Sequence, residues 1–329
     1  MRSLTSSLLA ITALAATACG GSAPATQSAT KEAFDPSNNP LRLSQEVDWT
    51  FDPDVMPTQG HTARRVWTGN YFPSSQEGTA SAMDKYDRAT GNDGRAGRWE
   101  REDSRRNAVV SWSGHCNGLA AAGINEEEPT RAVTYRGVDF SVDDVKALLV
   151  EKWQRASGSA LMVGRRCNQA DVALDEDGRP VPDACRDFNA GAMHVILGNF
   201  LGLKGEGVVF DMSRDEQVWN YPVVGYEIES SEVIDAAAAT RLVGGGTRYR
   251  WNPRATQFMK VRSRVRFAGG QERVYDYVLE GDDDVIIGGE WVGGSKLSHP
   301  DFAWRMTAPA AVNPYLDLGE IDAIARRSR

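Results

Sequence analysis

Beyond Thr247 the chain alternates with a period of two. Val261, Ser263, Val265 and Phe267 interleave with Arg262, Arg264 and Arg266; Ala268-Gly269-Gly270 follows, and Arg273 to Leu279 resumes the pattern. That period sends successive side chains to opposite faces of a pleated strand, so the stretch reads as an antiparallel hairpin. Asp282 to Trp291 adds another strand.

The earlier part of the chain carries a different period. Ser141 opens the clearest helix, with Asp144 three residues on as a variant capping box. Val142, Val145, Leu148, Leu149 and Trp153 then recur at helical spacing, and Lys152 and Arg155 complement the dipole at its end. Asn117 to Ala122 reads as a second helix with Cys116 in its first turn, ended by Gly123 and Glu126-Glu127-Glu128-Pro129. Asn189 to Leu201 reads as a third, with Met193, Ile196, Leu197 and Phe200 on its apolar side. Val109 to Trp112 reads as a short strand or an extended lead-in, and Gly207 to Phe210 as a short strand. Helices early and strands late argue for an α+β fold. No linker or internal repeat breaks the stretch from Leu41 to Arg329, which is read as one domain.

Composition narrows the function classes. Of 329 residues 41% are hydrophobic, enough for a sizeable core, and the net charge of −8 argues against a general nucleic-acid binder. No apolar run is long enough to cross a membrane as a helix. Residues 1–19 read as a signal peptide: Arg2, then Leu8, Leu9, Ile11 and Leu14, then Ala16-Thr17-Ala18-Cys19. Small residues before a cysteine resemble a bacterial lipoprotein box that would lipidate Cys19; cleavage after Ala18 is the other reading, and both export the chain. Export to an outer membrane or cell surface by a lipid anchor, or secretion into the periplasm or medium, is therefore expected. Residues 20–40, rich in Ser, Thr, Ala, Gly and Pro, read as a flexible tether.

Three cysteines remain, an odd number that suggests one bridge and one free thiol. Cys167 and Cys185 flank a polar loop, which leaves Cys116 free. A thiol at a helix start is favoured as a nucleophile, because free N–H groups and the dipole stabilise the thiolate and a developing oxyanion. Of four histidines, His115 adjoins Cys116 and would point elsewhere; His194 is the better base, with Asp211 at the end of a strand to orient it. Cys116, His194 and Asp211 are thus expected to form a papain-like triad. Taken singly, each also suits a packing, capping or turn role. The acidic stretches 171–178 and 282–284 read as solvated turns, and the scarcity of Cys and His argues against zinc.

Four stretches resemble the transglutaminase elicitor family, known from plant-pathogenic oomycetes and bacteria. Ser111-Trp112-Ser113-Gly114-His115-Cys116-Asn117-Gly118 is similar to its nucleophile motif, and Met193-His194 through Gly198-Asn199-Phe200-Leu201-Gly202 to its histidine segment. Val218-Trp219-Asn220-Tyr221-Pro222-Val223-Val224-Gly225-Tyr226 is similar to the surface peptide that plants recognise, departing from it at Tyr221, Val224 and Glu227. Ile287 to Ser295 and His299-Pro300-Asp301-Phe302 resemble a C-terminal signature; Leu119 stands where the family often has Trp. The resemblance implies a transglutaminase-like core and cross-linking of glutamine to lysine in protein or peptide substrates through a cysteine thioester, with deamidation as the side reaction. It also implies calcium, and no organic cofactor. Trp67, Trp112, Trp219 and Trp291 are candidates to line the site. The alternatives are an exported cysteine peptidase or amidase with the same triad, and a lipid-anchored binding protein whose cysteine is structural.

Overall fold

The computed structural model describes residues 34–154, 161–309 and 311–329. Helices α1 (Ala80–Thr90), α2 (Arg95–Asn107), α3 (Cys116–Asn125) and α4 (Val142–Trp153) occupy the first half, among short strands β1 (Gln59–His61), β2 (Val133–Tyr135) and β3 (Val138–Phe140). Then come β4 (Leu161–Gly164), α5 (Ala190–Ile196) and β5 (Val208–Asp211), with a π-helical turn over Leu197–Lys204 before β5. β6 (Asn220–Ile234), α6 (Ala236–Val243), β7 (Gln257–Phe267), β8 (Glu272–Asp282), β9 (Val285–Trp291), β10 (Phe302–Arg305) and α7 (Leu318–Ala325) complete the chain. The main sheet runs β4-β10-β5-β6-β7-β8-β9, all antiparallel, and β1 adds to β6. This is the expected α+β architecture, with the large sheet drawn mainly from the C-terminal half.

The period-two stretch forms the β7-β8 hairpin, with Val261, Val265 and Phe267 buried. Its arginines face solvent and pair across strands: Arg262 with Asp276 and Glu229, Arg266 with Glu227 and Glu272. Exposed pairs of this kind contribute little stability each, but their cross-strand spacing suits one register. The capping box at Ser141 and Asp144 is present in full.

The sheet separates two cores. Along β5, Val208 and Phe210 join one cluster while Val209 joins the other. α5 packs on the first face through Met193, Val195 and Ile196, and the π-helical turn adds Leu197. α3 and α4 pack on the second with Val209, Phe302 and Trp304. Alternation therefore sends Asp211 to the α3 face, and the same holds for Asn220, its register partner on β6. Glycine permits the close helix crossing there: a Cβ at Gly118 of α3 would lie 2.5 Å from the Val150 carbonyl oxygen of α4.

Two expectations need correction. Residues 109–112 form turns, not a strand. Residues 34–40 are not tether, because Phe34 is buried in the core and Asn38 donates to Asp187 at 2.7 Å. The signal peptide, Cys19 and residues 20–33 lie outside the described residues. α1 and α2 were not anticipated. The buried face of α2 is built from Ala96, Gly97, Glu100 and Ser104, so no apolar period marks it. Among the described residues no helix is long and apolar enough to cross a membrane.

Cys167 and Cys185 form the expected disulfide, spanning 18 positions. Loop-closure entropy gives such a bridge about 3 kcal/mol. Replacing both cysteines by serine is expected to lower the denaturation midpoint by a corresponding amount, measured by urea titration of the two forms.

Candidate active site

Cys116 opens α3, with His115 as the preceding cap residue. Its thiol is half-buried and is the one free thiol among the described residues. Sγ lies 3.4 Å from Asn220 Nδ2 and 3.8 Å from the Val218 carbonyl oxygen, both at the entry to β6. The Asn220 amide is oriented by its other end. Trp304 Nε1 is a donor only, and it donates to Asn220 Oδ1 at 2.7 Å, which turns Nδ2 toward the sulfur.

Asp211 lies across the strand pair from Asn220 and is fully buried. Its Oδ1 accepts from the Trp219 N–H at 2.9 Å, while Oδ2 has no hydrogen-bond partner. Burial pushes its carboxyl up from the ordinary 3.8 to about 7, aided by Asp215 and opposed by the Trp219 and Ser213 amides and by Arg166. A buried carboxyl with a free oxygen and a pKa near neutrality is equipped to accept and return a proton. Asp301, in the C-terminal signature, fastens this corner. Its N–H donates to the Asp211 carbonyl, and its carboxyl oxygens accept from the Cys167 N–H at 2.8 and 3.0 Å.

The structure does not assemble the expected triad. His194 belongs to α5, on the opposite face of the sheet from α3, and its Nδ1 lies 2.9 Å from the Tyr277 hydroxyl. Burial lowers its pKa to about 4, so the ring is neutral at physiological pH. No hydrogen bond joins it to Cys116 or Asp211 among the described residues. Its apolar neighbours Met193, Val195 and Ile196, which gave the helix its sequence signal, are what direct this segment into the other core. His299 lies on that side too, stacked on Trp291 with ring centroids 5.1 Å apart.

The four tryptophans divide. Trp67 is buried and donates to the Glu126 carbonyl; Trp291 is buried and donates to the Phe188 carbonyl. Both are core groups, and Trp291 is in the cluster on the His194 side. Trp219 lies between Val218 and Asn220, the two residues that touch the thiol, and its ring packs against Tyr71 at 5.5 Å. Trp112 stacks under Arg166, whose Nη2 donates to the Glu216 carbonyl in the segment leading to β6. Sequence reasoning missed Asn220 and Trp304 as site residues. Asn220 stood in a resembling segment, but only the β5-β6 register and the α3 packing bring it to the sulfur.

Beneath Cys116 sits a buried cluster. His115 Nε2 lies 3.2 Å from Glu100 Oε1 and 3.0 Å from Glu151 Oε1, and its Nδ1 is 3.1 Å from the Phe72 carbonyl. This is the one grouping of three or more Cys, His, Asp or Glu donor atoms within 4.8 Å among the described residues. It does not fit calcium, which takes six to eight oxygens; here a nitrogen replaces one and no carbonyl cage surrounds it. The acidic turns fit no better. Asp175 caps its own turn by accepting from Asp177 and Arg179, and Asp282 and Asp284 pair with Thr256 and Gln257.

A profile of the transglutaminase elicitor family matches residues 70–320. Among solved structures, the crystal structure of the GP42 transglutaminase from Phytophthora sojae superposes with a TM-score of 0.70 at 23% identity, covering 89% of this chain and 97% of that one. No curated protein sequence matches. The match spans both the Cys116 segment and the strands that face it, so the chain belongs to the transglutaminase elicitor family.

Proposed function

We propose that this protein is a protein-glutamine γ-glutamyltransferase that joins glutamine to lysine through a thioester on Cys116. The observation that carries the reading is the placement of a free, half-buried thiol at a helix N-terminus against Asn220 Nδ2. Asp211, with its unpartnered oxygen, is on the same face of the sheet. Family membership supports the same chemistry.

In this reading Asp211, not His194, carries the proton. Its carboxylate takes the thiol proton, directly or through a water, and Cys116 attacks the glutamine side-chain carbonyl. The oxyanion develops against the N–H groups of the first turn of α3 and against Asn220 Nδ2. Asp211 returns the proton to the departing amine, ammonia leaves, and a thioester remains. A lysine amine attacks the thioester, Asp211 accepts its proton, and the thiol is restored with an isopeptide bond formed. Water in place of the amine gives deamidation. In this reading Trp219, between the two residues that touch the thiol, limits its entry. Export to an oxidising compartment is consistent with the Cys167–Cys185 bridge.

The test is ammonia release and incorporation of a labelled primary amine into a glutamine peptide, with peptide cleavage followed in parallel. Incorporation supports transfer; cleavage without incorporation would make the protein a peptidase. Within this scheme Asn220→Ala is expected to lower kcat by about 10²-fold with little change in KM, as for loss of one oxyanion donor. A change confined to KM would assign Asn220 to substrate binding alone.

A further inference from the structure

We infer that Glu100, His115 and Glu151 form a binding site for one divalent transition-metal ion of the zinc class, which ties three helices together beneath the nucleophile. The three residues come from α2, the cap of α3 and α4, and they are buried, with both glutamates at 0% exposure. Three observations point to a cation there.

The first concerns direction. His115 Nδ1 faces the Phe72 carbonyl, which can only accept, so Nδ1 carries a proton and Nε2 is the ring atom turned toward the carboxylates. Nε2 is within 3.2 Å of two carboxylate oxygens yet makes a properly aligned hydrogen bond to neither. A ligand between the three atoms would be addressed by all of them. The second concerns spacing. Ligands bound at about 2.0–2.1 Å in a tetrahedron are about 3.3 Å apart, close to the separations of 3.0 and 3.2 Å seen here. The third concerns charge. Glu100 Oε2 and Glu151 Oε2 are both buried without a hydrogen-bond partner. A proton on the imidazole compensates one carboxylate only, so without a cation the other must be held as the neutral acid, the direction in which burial pushes Glu100. A divalent cation compensates both.

The outer contacts are already in place. Thr79 Oγ1 donates to Glu151 Oε1 and Ser104 Oγ donates to Glu100 Oε1, each at 2.7 Å. One imidazole with two carboxylates is a donor set for zinc or its first-row neighbours. The expectation that zinc lacks ligands came from counting Cys and His; it overlooked glutamates whose burial no sequence pattern announced. This inference does not depend on the proposed transferase activity.

The experiment measures metal in the purified full-length protein by plasma mass spectrometry. It covers the protein as isolated, after chelation and gel filtration, and after refilling with Zn²⁺ or Co²⁺. One equivalent per chain is expected after refilling, with a thermal midpoint that falls on chelation and returns with the ion. The Co²⁺ form is expected to show visible d–d absorption bands. Glu151→Gln is expected to weaken retention by 10- to 100-fold, while Cys116→Ala retains the full equivalent, which excludes the thiol as the ligand. Failure of the folded wild-type protein to take up Zn²⁺ or Co²⁺, with a midpoint unmoved by either ion or by chelator, would overturn the site. So would full retention in Glu151→Gln.

Discussion

Cys116→Ala will abolish both ammonia release and amine incorporation, to the background of the assay, while the protein stays folded. The side chain is half-buried and its contacts are one amide donor and one carbonyl, so its removal leaves no large cavity and orphans only the Asn220 N–H. Its stability is expected to change by about 1 kcal/mol or less. The thiol is the only atom in the scheme that can hold the acyl group, so no residual covalent route exists. Alkylation with iodoacetamide in the native state should modify Cys116 alone among the described cysteines, because Cys167 and Cys185 are bridged. A variant that keeps its activity would make the thiol structural and leave the surface-binding reading in its place.

Asp211→Asn is expected to cost about 10²- to 10⁴-fold in kcat, the range of a lost general acid–base group. The wild-type rate should rise with pH through about 7, because the base must be ionised and burial holds the Asp211 carboxyl up at that value. The variant should lack this limb. Stability should move the other way. The folded-state pKa lies above the unfolded one, so the acid form stabilises the fold fully below about pH 4. That contribution is lost as the pH rises through about 7. The loss is on the order of a few kcal/mol for a shift of this size. Asparagine keeps the acceptor for the Trp219 N–H and never ionises, so the variant is expected to be more stable than the wild type at pH 8 and close to it at pH 4. Loss of activity with a gain in stability is the signature of a group retained for chemistry. A variant that is both inactive and destabilised at pH 8 would assign Asp211 to packing instead.

What the sequence disclosed and what it hid follow from the range of the interactions involved. The hairpin of β7 and β8 and the capped helix α4 depend on residues a few positions apart, and both were legible. Cys116 at a helix start was legible for the same reason. The partner of the thiol was not, because which face of a sheet a helix covers is decided by tertiary packing. His194 and Asp211 are 17 positions apart, yet the strand alternation and the packing of α5 place them on opposite sides. A short sequence distance was read as spatial proximity, and the apolar stripe of α5 took precedence. Asn220 is next to Trp219 in a segment noted for resemblance alone; its pairing with Trp304 crosses 84 positions and has no local signal. Helix α2 stayed hidden because its inward face is small and acidic.

The central claim is that acyl transfer proceeds on Cys116 without the His194 imidazole. Intact-mass analysis after brief incubation with a glutamine peptide and no amine tests it directly, on wild type, His194→Gln and Asp211→Asn. The expected result is an adduct of the peptide less ammonia on Cys116 in wild type and in His194→Gln at rates within a few-fold, and slow or absent acylation in Asp211→Asn. Normal acylation in Asp211→Asn with none in a folded His194→Gln would contradict the account.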